Sequence, residues 1–452
     1  MEQISMPVDV PPTRHLPATF RPASATSGAA GWQVGGNPLA GLAEALGTPV
    51  WVIDTGEIRS RLRRLFAACS AHWPSGARIL FASKAHGHPA IARLLADGGA
   101  DLETVSIGEI EAAVAAGVGG DRIVLQGHGR APDDHARALA HGVRRFHVDA
   151  CDEIAPLAEA AASAGVSVEV LVRVLPGITA DTHPALATGV AGSKFGLPEG
   201  PDLDQAVGAI RRAGNLKLIG LQLHTGSQIH DPETFKATGA VAGRIAADLH
   251  RRTGWMPAVL DLGGGLAVPY GPDDAEPNPE AWIEALARGF AEGWPDAPAT
   301  WPQLVVEPGR WLVATAGCTV YTILSVKHAN GCVVVDGGLA DNPRVSLYEA
   351  NYVHEGLLPG QSEGGRAWRL VGRTCEEGDE LGTVMLRDPR PGDRIVGWVA
   401  GAYHYAMASR YNRLPRPALV LVEAGRRALA SRRERPADLL ATEIPSPEWS
   451  LG

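Results

Sequence analysis

A (β/α)8 barrel followed by a smaller, mostly β domain of Greek-key or barrel-like type is the α/β architecture that three observations predict. First, strand-like apolar runs recur at 79–82, 102–105, 123–125, 146–148, 168–174, 218–223, 259–262 and 304–306, with amphipathic helical segments between most of them. Alternation of this kind implies parallel strands joined by right-handed crossovers. Second, about eight such units over roughly 250 residues have the size of a (β/α)8 barrel. The rival, a doubly wound open sheet, usually has fewer strands and carries its glycine-rich turn after the first one. Third, the rhythm stops after Arg310, and short strand-like runs between Gly and Pro turns take over.

In chain order, residues 1–32 are rich in Pro, Ser, Thr and Ala and lack the apolar centre of a secretory signal. They read as a disordered or loosely attached extension. Residues 33–310 form the barrel domain, with a strand near Val34 that is a candidate member of the β domain instead. Positions 37–46 read as a short helix ended by Gly47, 50–53 as a strand, and 57–69 as a helix with Ile58, Leu62, Leu65 and Phe66 on one face. The barrel helices are expected at 90–96, 107–116, 133–140, 153–164, 203–213, 232–252 and 279–292. In the β domain, residues 311–452, strands are expected at 313–327, 332–336, 367–371, 394–398 and 418–423.

The totals restrict function. The 452 residues carry a net charge of -9, which gives no reason to expect nucleic acid or an anionic membrane as partner. No run approaches the ~20 apolar residues of a membrane span. The five cysteines are scattered, without a CxxC pair or zinc-type spacing, so a reduced, cytoplasmic protein is expected and no metal is invoked.

In a barrel, chemistry gathers at the C-terminal ends of the strands. Lys84 follows the first strand, Glu103 lies in the second, and His128 follows the third. His224-Thr225-Gly226-Ser227 follows the sixth, Gly263-Gly264-Gly265 the seventh, and Glu307-Pro308-Gly309-Arg310 the eighth. Taken singly, these are a surface lysine, a structural histidine, a tight turn and a strand-end carboxylate. Together they are an amine, an anion cradle, a flat imidazole and an acid at one mouth. Pyridoxal phosphate needs that set: a lysine, a phosphate site, a group to hold the ring, and an acid for the ring nitrogen. Desolvation at the mouth is expected to make the Lys84 amine lose its proton more easily.

Eight ordered motifs carry a resemblance: GTPVWVID at 47–54, FASKA at 81–85, TGVAGSKFGL at 188–197, GLQLHTGSQI at 220–229, LDLGGGLAVPYG at 260–271, EPGR at 307–310, CEEGD at 375–379 and GAYHYAMASRYN at 401–412. The chain resembles the barrel-type (fold type III) pyridoxal-phosphate decarboxylases, and within them the diaminopimelate decarboxylases, from about residue 35 to residue 443. The resemblance implies that Lys84 holds the cofactor covalently and that His224 stacks on its ring. It implies that Ser227, Gly263, Gly264, Gly265, Gly309 and Arg310 hold the phosphate end, with Tyr403 nearby, and that Glu307 pairs with the ring nitrogen. Cys375 is similar to the family's proton donor. Arg310, Arg344, Tyr348 and Tyr403 resemble the group that grips a distal carboxylate, and Glu376 the reader of a distal ammonium. Because Cys375 and Glu376 reach a partner's site in that family, a homodimer is implied. The implied reaction is α-decarboxylation of meso-diaminopimelate to lysine.

Some positions depart from the family pattern. His86 stands where Asn is usual, Glu103 where Asp is usual and His128 where Asn is common. Arg344 is flanked by Pro343 and Val345 rather than by Ile and Pro, and Trp311 follows EPGR where a small residue is common. A decarboxylase of secondary metabolism, acting on another dicarboxylic or carrier-bound amino acid, is therefore an alternative. An amino-acid racemase fits less well, because racemases of this barrel type usually set an arginine against the ring nitrogen. A non-enzymatic homologue would tend to lack the lysine or the β domain.

Overall fold

The computed structural model of the chain describes residues 18–179, 189–190, 192–271 and 274–447. Residues 1–17 of the expected extension, and positions 188 and 191 of the expected TGVAGSKFGL motif, lie outside them. Eight parallel strands close a barrel in chain order: Ala77–Ala82, Asp101–Thr104, Ile123–Leu125, Arg145–Val148, Val168–Val174, Leu216–Leu223, Val259–Asp261 and Gln303–Val306. The eighth returns to the first with Leu304 opposite Ala77.

Side-chain alternation explains what fills the barrel. Successive residues of a strand point to opposite faces. Ile79, Phe81, Leu304 and Val306 join the main core under the outer helices, whereas Leu80, Val124 and Val305 form a separate small cluster with Val259 packed against it. That cluster is the apolar floor inside the barrel. The next inward positions are polar and buried: Glu103, His147, Arg173, Gln222 and Asp261 each lie beside strand residues that face the outer core. The barrel is thus apolar at its base and polar towards its mouth.

The helices wrap this cylinder and begin where capping residues sit. Asp54 accepts from the N–H groups of Gly56 and Glu57 at the start of Thr55–His72. Ser106 and Asn278 cap Ile107–Ala115 and Pro279–Gly293 in the same way.

The β domain is one nine-stranded sheet. Six of its strands, including Gly317–Lys327, Cys332–Val335 and Arg394–Trp398, close on themselves because Gly317–Lys327 also pairs with Cys332–Val335. Tyr321, Ile323, Trp368, Leu370 and Val384 belong to the apolar cluster of these strands. Val50–Asp54 lies between Gly317–Lys327 and Ala418–Glu423, so a strand made before the barrel completes the sheet made after it. Two expectations about the N-terminal region need correction. The strand near Val34, Gly31–Val34, pairs in a small three-stranded sheet of its own and not in the nine-stranded sheet. The extension is also not loose from Phe20 onward: Phe20 is buried, Arg21 pairs with Glu355 at 2.8 Å, and Trp32 packs edge-on against Trp398. Aromatic burial outweighs the Pro- and Ser-rich composition there.

Candidate active site

Lys84 sits in the short turn Ser83–Ala85 that ends the first barrel strand. Its side chain stands in a cavity of about 460 Å³ between the barrel mouth and the β domain. The barrel contributes His224, Ser227, Gly265, Glu307, Gly309 and Arg310 to the lining, and the β domain contributes Arg344, Tyr348 and Tyr403. Lys84 and Glu307, from adjacent strands of the closed barrel, thus face one space.

The charge state of Lys84 differs from the expectation. Its amine is accessible to the cavity yet enclosed by protein, and its pKa is raised rather than lowered. The Glu103 carboxylate is the largest cause; burial opposes it, and Tyr403 and Glu307 add to it. Glu103 is 1% exposed, and neither of its carboxylate oxygens has a hydrogen-bond partner among the described residues. A buried acid without hydrogen bonds needs a cation nearby, and this demand outweighs desolvation of the amine.

Glu307 is pushed up to about 7 by burial and then by Glu103, while Lys84 pulls it back. Gln222 donates to its Oε2 at 3.2 Å, and Oε1 has no partner among the described residues. His224 lies well below its usual range, through burial first and the Lys84 charge second, so its imidazole is neutral. The Gly264 N–H donates to His224 Nδ1 at 3.3 Å, which ties the ring to the glycine turn.

That turn has room only for glycine. A Cβ would lie 2.7 Å from the Leu223 carbonyl at Gly263, 2.1 Å from the Glu307 carbonyl at Gly264, and 2.4 Å from the Gly226 carbonyl at Gly265. Gly263 and Gly265 also have positive φ, 69° and 105°. The turn after strand seven is therefore pressed onto the ends of strands six and eight.

Two guanidiniums form the far wall. Arg310 and Arg344 lie 4.7 and 4.5 Å from the Tyr403 ring centre. Arg310 donates to the Tyr270 hydroxyl at 2.6 Å and to Ser227 Oγ at 3.0 Å, and Arg344 donates to the Tyr352 hydroxyl at 3.1 Å. Tyr348 lies 4.8 Å from the Arg344 guanidinium. Both arginines are buried, at 4% and 3% exposure, and among the described residues neither forms an ion pair with a carboxylate. Buried charge without a counter-charge is costly, and an arginine fork suits a carboxylate.

The remaining predicted residues lie elsewhere. Cys375 and Glu376 are exposed and are not among the residues lining the cavity of their own chain. Their loop is held by buried Asp379, which accepts from the Thr374 N–H at 2.8 Å, the Thr374 hydroxyl at 2.6 Å and the Leu339 N–H at 2.6 Å. Glu376 accepts from the Tyr411 hydroxyl. His128 is exposed and packs edge-on against Phe195. Trp311 does line the cavity, with the Arg61 guanidinium 5.0 Å from its ring. Sequence reasoning missed His147, Arg173, Gln222, Asp261, Tyr270 and Tyr352. Four of these were legible as a polar residue between two apolar ones at a strand end: Phe-His-Val, Val-Arg-Val, Leu-Gln-Leu and Leu-Asp-Leu.

The sequence profile described as "Pyridoxal-dependent decarboxylase, pyridoxal binding domain" matches residues 56–314. The chain belongs to the pyridoxal-dependent decarboxylases. Its relatives include the diaminopimelate decarboxylase of Actinosynnema pretiosum, 38% identical over 91% of this chain and 92% of that one. That of Bacillus subtilis is 33% identical over 91% and 95%. Among solved structures, diaminopimelate decarboxylase of M. jannaschii in complex with L-lysine superposes with a TM-score of 0.87 at 27% identity, covering 94% of this chain and 99% of that one. The enzyme is thus a pyridoxal-phosphate-dependent decarboxylase, and its mouth fits that cofactor. An amine stands open in the cavity, a glycine cradle excludes side chains, and Glu307 keeps one oxygen without a partner among the described residues. Among the described residues no helix is long and apolar enough to cross a membrane.

Proposed function

We propose that the enzyme removes the α-carboxylate of meso-diaminopimelate, giving lysine and carbon dioxide. The observation that carries this reading is the pair of buried guanidiniums, Arg310 and Arg344, on the Tyr403 ring with no carboxylate partner among the described residues. A substrate with a second, distal carboxylate answers both charges; lysine or ornithine leaves them unanswered. The relatives' shared name, diaminopimelate decarboxylase, supports the same choice.

In this reading bound pyridoxal phosphate supplies the electron sink for the pair left behind when the carboxylate departs. Lys84 would hold it through its side-chain amine. The glycine turn, Ser227 and the Gly309–Arg310 backbone hold the phosphate by N–H and O–H donation. The neutral His224 offers a flat, uncharged face, and Glu307 holds a proton at the ring nitrogen. Arg310, Arg344 and Tyr348 bind the distal carboxylate. Cys375 returns a proton to the substrate carbon, and Glu376 binds the distal ammonium. Their exposure on this chain supports their acting in a neighbouring copy, so the working form is a homodimer with shared sites. Scattered free cysteines support a reducing, cytoplasmic setting.

The test is carbon dioxide release from meso-diaminopimelate, lysine, ornithine, arginine and glutamate side by side. Turnover confined to meso-diaminopimelate is expected. Faster release from one of the other four would replace the substrate assignment.

A further inference from the structure

Beside the cavity lies a buried polar cluster in which only Glu307 has been given a role so far. An oxygen of Asp261, an oxygen of Glu307 and a ring nitrogen of His147 lie within 4.8 Å of one another, all buried. Asp261 is 0% exposed. Its Oδ1 accepts from the Gly263 N–H at 2.9 Å, whereas Oδ2 receives no hydrogen bond from the described residues and faces His147 Nε2 at 3.9 Å. His147 Nδ1 is 2.8 Å from the Gln126 carbonyl oxygen, which can only accept. The imidazole proton is therefore on Nδ1, and Nε2 presents a lone pair.

Three lone-pair atoms thus converge where water is excluded. Two ionised carboxylates and a bare ring nitrogen would repel, while one proton turns the same set into a hydrogen-bonded cluster. The charged groups around it, Lys84 and Arg173, supply only part of the balance. Lys84 answers Glu103, and Arg173 lies 3.5 Å from Asp149.

We propose that Asp261 and Glu307 hold one proton between them and that Asp261 carries it, making Asp261 a positioning residue that keeps Glu307 an ionised acceptor for the cofactor's ring nitrogen. This rests on the reading of Glu307 given above. Electrostatics agree in direction. Burial, then the Glu307 charge, raises Asp261 well above the usual carboxylate range, whereas a hydrogen bond from Asp261 pulls Glu307 down. Asp261 also fastens the turn that cradles the phosphate, so one side chain joins the two ends of the cofactor site.

The test uses substrate-free holoenzyme at about pH 8, where ordinary carboxylates are ionised. The infrared difference between wild type and Asp261→Asn should show loss of a protonated-carboxyl C=O stretch. In Glu307→Gln that stretch should persist, because Asp261 remains buried and neutral. No such stretch in wild type, or its loss in Glu307→Gln, overturns the proposal. The second readout is the pH at which the holoenzyme's absorbance band titrates. Asp261→Asn exchanges one neutral group for another and should move it by less than about half a unit, whereas removing a charge so close would move it by about 1–3 units. A shift of that size also overturns the proposal, and Glu307→Gln still decides if Asp261→Asn does not fold. Neither readout involves substrate, so failure of the diaminopimelate assignment would leave both intact.

Discussion

Tyr403 donates its backbone N–H to the carbonyl of Ala85 across 2.7 Å. Ala85 is the residue after Lys84, so the turn that carries Lys84 is fastened to the β domain. Tyr403 adopts a left-handed φ of 70°, a conformation that costs a non-glycine residue about 1–3 kcal/mol. That strained turn sets its ring against Arg310 and Arg344. The site therefore depends on both domains at the level of single hydrogen bonds.

Lys84→Ala should remove turnover, and added pyridoxal phosphate should leave with dialysis, because of the two lysines that line the cavity among the described residues, Lys84 and Lys194, Lys84 is the one beside Glu103 and Glu307. Absorbance of the dialysed protein and carbon dioxide release measure this. Full-rate turnover would refute the role of Lys84.

Arg344→Ala should raise KM for meso-diaminopimelate by about 10- to 100-fold, the worth of one charged hydrogen-bonding partner. The same change should alter KM for lysine-like analogues far less, since they lack the distal carboxylate. Equal effects on both would mean that Arg344 does not read that group.

Lys84→Ala and Cys375→Ala chains, each inactive alone, should complement on mixing. If Cys375 serves the neighbouring copy, a randomly mixed dimer population regains about a quarter of wild-type activity. Persistent inactivity of a verified mixed dimer would place Cys375 outside the partner's site.

Asp341 gives a stability prediction far from the chemistry. Burial pushes its carboxyl up to about 7, against 3.8 for the ordinary group, although Tyr321 and Gly338 donate to it. A carboxyl raised in the folded state binds more protons folded than unfolded, so stability is full below about pH 4 and falls as pH rises to about 7. Asp341→Asn should flatten that slope and be the more stable form at pH 8, by on the order of a few kcal/mol. Urea midpoints at pH 4.5 and 8 measure it; parallel slopes in the two proteins would contradict it.

The barrel was legible because each strand is a compact apolar run and each helix an amphipathic one; Ile123–Leu125 and Val168–Val174 stand where the runs predict. The strands at His354–Gly356, Glu380–Leu386 and Arg426–Ser431 were not legible. They are short or half exposed, and Arg426 and Arg427 make the last one read as a solvated segment. In the site, Lys84, His224 and Glu307 were found from their places at strand ends. The charge on Lys84 was not, because it depends on Glu103, whose burial without hydrogen bonds is a three-dimensional fact. Tyr270 and Tyr352 were hidden in loops, and only folding brings their hydroxyls to the two arginines.

The position of Val50–Asp54 has a consequence for synthesis. During translation this segment leaves the ribosome early, yet its neighbours on both sides, Gly317–Lys327 and Ala418–Glu423, are made only after the whole barrel. Until then it is an unpaired, apolar ribbon, open to chaperones and to other nascent chains. Cutting the gene at the barrel's end would strand that ribbon on one fragment and leave the other with a gap, so the two halves should be productive only when co-expressed.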